Sequence, residues 1–236
     1  MSRKLFTPRL FFHCAFWLGT CLAVGNALAA PVTVQVVDKD GHPAADAVVV
    51  LVPANHAAQP RQALPKEITI VQHNMQFIPA VAIVPLGGKV KFVNDDPWDH
   101  HVRGSAAGAA QFVKDNEGGF SMRLEGKSKG KPASFAEVTL DKPGSVGATL
   151  LGCFIHGSMR GNLYVSDSPW AAKTGADGTA RFDDVPDGAL QVKVWQADQL
   201  IDLPPQQAYV GNAPVTLKMQ LQVTPRKVRG MPYTSY

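Results

Sequence analysis

Cys153, His156 and Met159 lie within the stretch LLGCFIHGSM, residues 150–159. Each is followed by the next after two intervening residues. A thiolate, an imidazole and a thioether together suit copper in both of its oxidation states. Zinc would take the cysteine and the histidine but has little use for the thioether. The two-residue gaps let the chain turn after a strand and bring the three side chains back toward one point. A trigonal copper site then needs one more histidine from elsewhere in the chain. Residues 91–104, KFVNDDPWDHHVRG, offer His100 and His101 just after a turn built from Asn94, Asp95, Asp96 and Pro97. Neighbouring residues of an extended segment point to opposite faces, so one of the two histidines is expected to reach the metal. A nucleophilic cysteine with His156 as its base is the competing chemistry. It leaves His100 and Met159 without a role, and no third orienting residue or oxyanion site is apparent.

The compartment gives the lone cysteine its weight. Residues 1–30 open with Arg3, Lys4 and Arg9, continue as an apolar run from Leu10 to about Val24, and close on Ala27-Leu28-Ala29. That is the pattern of a secretory signal peptide, with the cut expected after Ala29. Leu18-Gly19-Thr20-Cys21 makes a poorer lipoprotein signal. Cys14 and Cys21 would leave with the signal, so Cys153 is the single cysteine of the expected periplasmic chain. Exported proteins generally pair their cysteines, and an unpaired one surrounded by soft donors points to a metal. No later segment is long and apolar enough to span a bilayer.

The whole chain has 23 basic and 19 acidic residues, a net +4. The signal carries three of the basic residues and no acidic ones, which leaves 20 against 19. The basic character therefore says little about nucleic acid, and no basic stripe with interleaved aromatics is present. Lys127 to Lys131 and the tail Arg226-Lys227-Val228-Arg229 read as solvated surface.

The elements that must position these residues are strands. Helical periodicity is nearly absent. Short alternating runs recur instead: Val32–Val37, Ala47–Val52, Val90–Val93, Ala136–Leu140, Asn162–Val165 and Leu190–Trp195. Between them stand the turn dipeptides Asp40-Gly41, Gly87-Gly88, Pro143-Gly144, Asp177-Gly178 and Asp187-Gly188. This spacing predicts an all-β fold of sandwiches.

The segment Val93-Asn94, five residues, then His100 and Val102 resembles the first ligand segment of plastocyanin-like cupredoxins. Asp141-Lys142-Pro143-Gly144 before the cysteine strand, and Met159-Arg160-Gly161-Asn162-Leu163-Tyr164-Val165 after it, resemble the corresponding cupredoxin turn and last strand. The Cys-x-x-His-x-x-Met spacing is similar to that of the amicyanins. From Met75 to about Trp195 the chain resembles secreted bacterial proteins labelled "methylamine utilisation protein". The resemblance implies a Greek-key cupredoxin sandwich with one type 1 copper site. His100, Cys153 and His156 would be its strong ligands and Met159 its weak axial one. Asn94 and His101 would be supporting residues or alternative ligands. His156 would be the exposed edge, inside an apolar docking collar of Pro97, Trp98, Phe154 and Ile155. The implied role is single-electron transfer rather than enzymatic catalysis, with partners such as a periplasmic dehydrogenase or a c-type cytochrome. Copper carriage or tolerance is the alternative. The chain departs from the pattern at His101, where asparagine is usual, and at Leu151, where an aromatic is usual. Both departures bear on the surroundings of the metal and hence on its potential.

Residues 32–54 and 174–195 resemble successive halves of a carboxypeptidase-regulatory-like β-sandwich, which Val215 to Val223 would complete. The expected organisation is a signal peptide over 1–29, a cupredoxin unit over 63–166 inserted into a small sandwich made of 30–62 and 167–224, and a basic tail over 225–236. The competing arrangement is a single cupredoxin whose first strands are residues 32–54, followed by a C-terminal module. His42, His56 and His73 read as ordinary turn or surface residues. Met75 and Met122 read as core or loop, and a copper site on His73 and Met75 is the weakest option.

Overall fold

The computed structural model describes residues 31–56, 58–108, 119–144 and 148–226. The predicted signal peptide and the tail from residue 227 lie outside them. Sixteen strands are described, arranged in four sheets.

The first sheet has the order β13 (Thr179–Phe182), β1 (Val32–Val37), β16 (Val215–Gln220). The second runs β12 (Trp170–Lys173), β2 (Val48–Pro53), β14 (Gly188–Trp195), β15 (Gln206–Val210). The third runs β5 (Val81–Pro85), β11 (Arg160–Ser166), β10 (Ala148–Cys153), β7 (His100–Ala106), β8 (Phe120–Leu124). The fourth runs β4 (Gln76–Ile78), β3 (Glu67–His73), β6 (Gly88–Asn94), β9 (Phe135–Leu140). β1 pairs in parallel with β16 and antiparallel with β13. Within the named strands, β3 to β11 pair only among themselves.

Alternation explains the layers. Val32, Val34 and Val36 of β1 face Val49 and Leu51 of β2 and Leu190, Val192 and Val194 of β14 across the first core. The opposite face of β2 is not solvent. Val48 and Val50 pack with Val81, Ala148, Tyr164 and Trp195 in a second apolar layer. The third sheet then presents Leu151, Cys153, Leu163 and Val165 to Ile70, Val90 and Phe92 of the fourth. Four sheets thus enclose three apolar layers, and the two middle sheets are buried on both faces. That accounts for the unbroken apolar run VVVLV in β2, which half-buried strands do not show.

Turn chemistry joins the strands. Gly41 at φ 86° and Gly178 at φ 72° occupy the left-handed region that their Asp-Gly dipeptides predict. A Cβ on Gly178 would lie 2.5 Å from the Val36 carbonyl oxygen, so only glycine fits there. Among the described residues no helix is long and apolar enough to cross a membrane.

Candidate metal centre

The third sheet carries the site at one end. β10 ends on Cys153, and β7, its antiparallel neighbour, begins on His100. Residues 154–159 turn the chain into β11, with the Met159 N–H donating to the His156 carbonyl at 3.0 Å. Cys153 and His156 are thereby supplied by one turn, and His100 by the strand beside it.

Three donor atoms converge. Cys153 Sγ lies 3.7 Å from His100 Nδ1 and 3.6 Å from His156 Nδ1, and the two Nδ1 atoms are 3.2 Å apart. Bonds of about 2.0–2.3 Å from one metal to a thiolate and two imidazoles would separate the donors by about 3.2–3.8 Å. The three edges have that length, so the donor set fits a metal ion without rearrangement. His100 is fully buried, Cys153 is 7% exposed, and His156 is half-buried. The two imidazoles meet edge to face, with ring centroids 4.9 Å apart. Met159 is buried in the same core cluster as Cys153. Cys153 is a free thiol, and its Sγ accepts a hydrogen bond from the His101 N–H at 3.4 Å.

His101 itself points away. Its Nε2 lies 2.7 Å from Ser121 Oγ, and its ring packs edge-on against Phe154 at 5.1 Å. Its backbone serves the thiol while its ring does not join the converging donors. Asn94 is not among them either. Its Nδ2 donates to the carbonyls of Trp98, Leu124 and Glu125 at 2.8, 3.3 and 2.9 Å, and its Oδ1 accepts from the Asp96 N–H at 3.0 Å. Asn94 therefore braces the turn between β6 and β7, with both ends of its amide engaged there. Gly126 passes beneath that turn so closely that a Cβ would sit 2.4 Å from the Pro97 carbonyl oxygen.

Pro97 and Trp98 on this turn, and Phe154 and Ile155 on the turn after β10, are all exposed. Trp98 is 40%, Phe154 60% and Ile155 55% exposed, so simple core packing does not describe them. Phe154 also carries the Arg103 guanidinium over its ring at 5.1 Å. Met75 is 45% exposed at the tip of the β3–β4 hairpin and is no core residue. His73 pairs with Asp95 at 3.3 Å.

One residue escaped the sequence reading. Asp96 is 1% exposed, and its Oδ2 lies 2.8 Å from His100 Nε2. An aspartate four residues before a histidine was the only available signal, and in a turn rich in aspartate it is a weak one.

No protein-family model matches the chain, and no curated protein matches it. Among solved structures, an oxidised single-residue mutant of amicyanin is similar at 16% identity, with a TM-score of 0.33, over 49% of this chain and 98% of that one. A copper(I) form of a second amicyanin mutant aligns over the same shares at 17% identity and a TM-score of 0.33. A copper(I) form of a third does so at 18% and 0.33. Likeness at this level assigns nothing by itself. What the chain itself supplies is an all-β stack of sheets with a buried thiol and two imidazoles converging at one end.

Proposed function

We propose that the chain is a periplasmic type 1 copper protein that carries single electrons between redox partners, with His100, Cys153, His156 and Met159 as ligands. The observation that carries this reading is the convergence of one cysteine sulfur and two histidine Nδ1 atoms, all within 3.2–3.7 Å of one another. Sulfur with two imidazoles, and a thioether close by in sequence, is the donor set of a copper centre that cycles between two oxidation states.

A copper ion held there would supply one-electron chemistry. The rest falls to the chain. Cys153 gives up its proton on binding, as a ligating thiol must, and the His101 N–H then stabilises its sulfur. His100 is held rigidly by the strand β7. Burial of His100, Cys153 and Met159 keeps water from the donors, and half-buried His156 provides the edge through which an electron passes. Pro97, Trp98, Phe154 and Ile155 give a partner an apolar surface at that end. A weak, brief interface of the kind used in redox encounters fits such a surface. A periplasmic dehydrogenase or a c-type cytochrome is the partner class we infer. Residues 63–166 form the copper unit, inserted into a sandwich of 30–62 and 167–224. The pairing of β1 with β13 and β16, beyond the copper unit, supports that organisation.

The test is a visible absorption titration of the purified mature protein with Cu(II), repeated on Cys153→Ser. The expected result is an intense thiolate-to-copper band saturating at one equivalent and absent from the variant. Tight copper binding without the band would favour a carrier or tolerance protein. No binding would overturn the reading.

A further inference from the structure

Asp96 raises a question of its own. A carboxylate buried to 1% is costly unless its oxygens are occupied. Its Oδ1 accepts a hydrogen bond from the Asn74 N–H at 2.7 Å, and its Oδ2 accepts one from the Met75 N–H at 3.1 Å. The same Oδ2 lies 2.8 Å from His100 Nε2. The two backbone donors belong to the tip of the β3–β4 hairpin, where Asn74 and Met75 stand at φ 51° and 57°. Positive φ at both central residues is the type I′ geometry of a two-residue hairpin, and here it sends two successive N–H groups to one carboxylate. Asn94 holds Asp96 from the other side through the Asp96 N–H.

Both backbone contacts ask the carboxylate to accept, and an ionised carboxylate is an acceptor only. The ring nitrogen facing it must then carry the proton. In a neutral imidazole the other nitrogen is bare. That nitrogen is Nδ1, the atom 3.7 Å from Cys153 Sγ and 3.2 Å from His156 Nδ1.

We propose that Asp96 sets the tautomer of His100, holding the ring proton on Nε2 so that Nδ1 faces Cys153 and His156 bare. Asp96 is a positioning residue, since it acts through the histidine. The tautomer stands independently of the copper reading; the consequence for the metal rests on that reading. A carboxylate behind a ligating histidine orients the ring and makes it a better donor. Its negative charge also favours the more positive oxidation state, so it lowers the reduction potential of copper bound in front of it.

The experiment begins with the metal-free, full-length mature protein labelled with nitrogen-15 on its histidines. Long-range proton–nitrogen correlations at neutral pH are expected to show His100 protonated at Nε2 and bare at Nδ1. The opposite tautomer overturns the proposal, and this measurement needs neither a variant nor a metal. Asp96→Asn comes second. An amide cannot accept from all three N–H groups, because one of its two ends donates. The variant is expected to shift His100 toward the Nδ1–H form, to weaken Zn(II) binding by about 10- to 100-fold and to raise the copper potential. A folded variant with tautomer, Zn(II) affinity and potential all unchanged overturns the proposal. If the variant does not fold, the wild-type spectrum decides. If His100 has the stated tautomer while Cu(II) gives no thiolate band, the copper reading falls and the role of Asp96 stands.

Discussion

The core between the first and second sheets and the core between the third and fourth are built from the same aliphatic alternation, yet they treat polar residues differently. In the first, buried polar side chains tie distant backbone segments together. Thr174 Oγ1 accepts from the Ala47 N–H at 3.0 Å and donates to the Ala44 carbonyl at 2.7 Å. Ser168 Oγ donates to the Leu51 carbonyl. In the second, Asn94, Asp96, His100 and Cys153 are all buried at one end. The first core also has a three-residue group beside it, Asp38, Asp40 and His42 in the β1–β2 turn. There Asp38 Oδ1 is occupied by the N–H groups of Asp40 and His42 at 2.8 and 2.9 Å, and the His42 side chain is 75% exposed. Residue type alone does not make a metal centre. Donor atoms must converge, be kept from water, and be left free by hydrogen bonds that occupy their other atoms.

The sharpest way to break this contrast is to remove one polar brace from each core. Asn94→Ala leaves four backbone groups without their partner. At about 1–3 kcal/mol for each buried group left unpaired, it should cost about 3 kcal/mol or more and should also weaken the copper band. Thr174→Val removes two contacts and should cost about 1–3 kcal/mol while leaving the band intact. Chemical denaturation paired with copper spectra checks both. Equal costs with an unchanged band in each would erase the distinction.

The layer between the cores gives an intermediate effect. Burial, with the charges of Asp167 and Asp202 adding to it, pushes the Tyr164 phenol above its usual range. A group whose folded-state pKa is raised contributes fully below its unfolded value, about 10 for tyrosine, and loses that contribution as pH rises toward the folded one. Stability should therefore decline above about pH 10 more steeply in the wild type than in Tyr164→Phe. Denaturation midpoints from pH 8 to 11 measure the difference, and parallel curves would count against it.

The smallest effect belongs to the hairpin that holds Asp96. Met75 takes a left-handed conformation that costs a residue with a side chain about 1–2 kcal/mol. Glycine avoids that cost but loses more chain entropy on folding. Met75→Gly should stabilise the protein by at most about 1 kcal/mol and keep the N–H to Asp96. A destabilised variant would show that the Met75 side chain supports the turn.

What the sequence makes legible follows burial. β1 matches the alternating run at Val32–Val37 residue for residue, and β2, β6, β9, β11 and β14 match theirs within two residues at each end. These strands have a neighbour on each side or a fully apolar face, so their pattern is strong. β4, β8 and β15 are edge strands. QFI and QQAYV carry too little alternation to stand out, and FSMRL, which does alternate, is only five residues long. At the site, the spacing from Cys153 to His156 reflects one turn and is local enough to read. Strand parity says that one of His100 and His101 reaches the site; that it is His100 is seen only in where the two rings lie. Asp96 does not follow from anything local. Aspartate is an ordinary turn residue, and its burial arises only because the β3–β4 hairpin, some twenty residues earlier in the chain, folds over it. The exposure of Trp98 and Phe154 is likewise decided by which turns meet at the end of the sheets.

The doubly buried β2 has a consequence for how the chain reaches this state. Its hydrogen-bonded neighbours are β12 and β14, so every strand partner of Val48–Pro53 lies beyond residue 169. The run VVVLV combines high β-propensity with no charge, the composition of an aggregation-prone segment. Pairing across so long a separation is intrinsically slow. During synthesis this strand must wait for more than a hundred later residues before either of its edges is covered. The stack that shelters the converging thiol and imidazoles thus carries a kinetic liability at its centre, in the strand whose native burial is most complete.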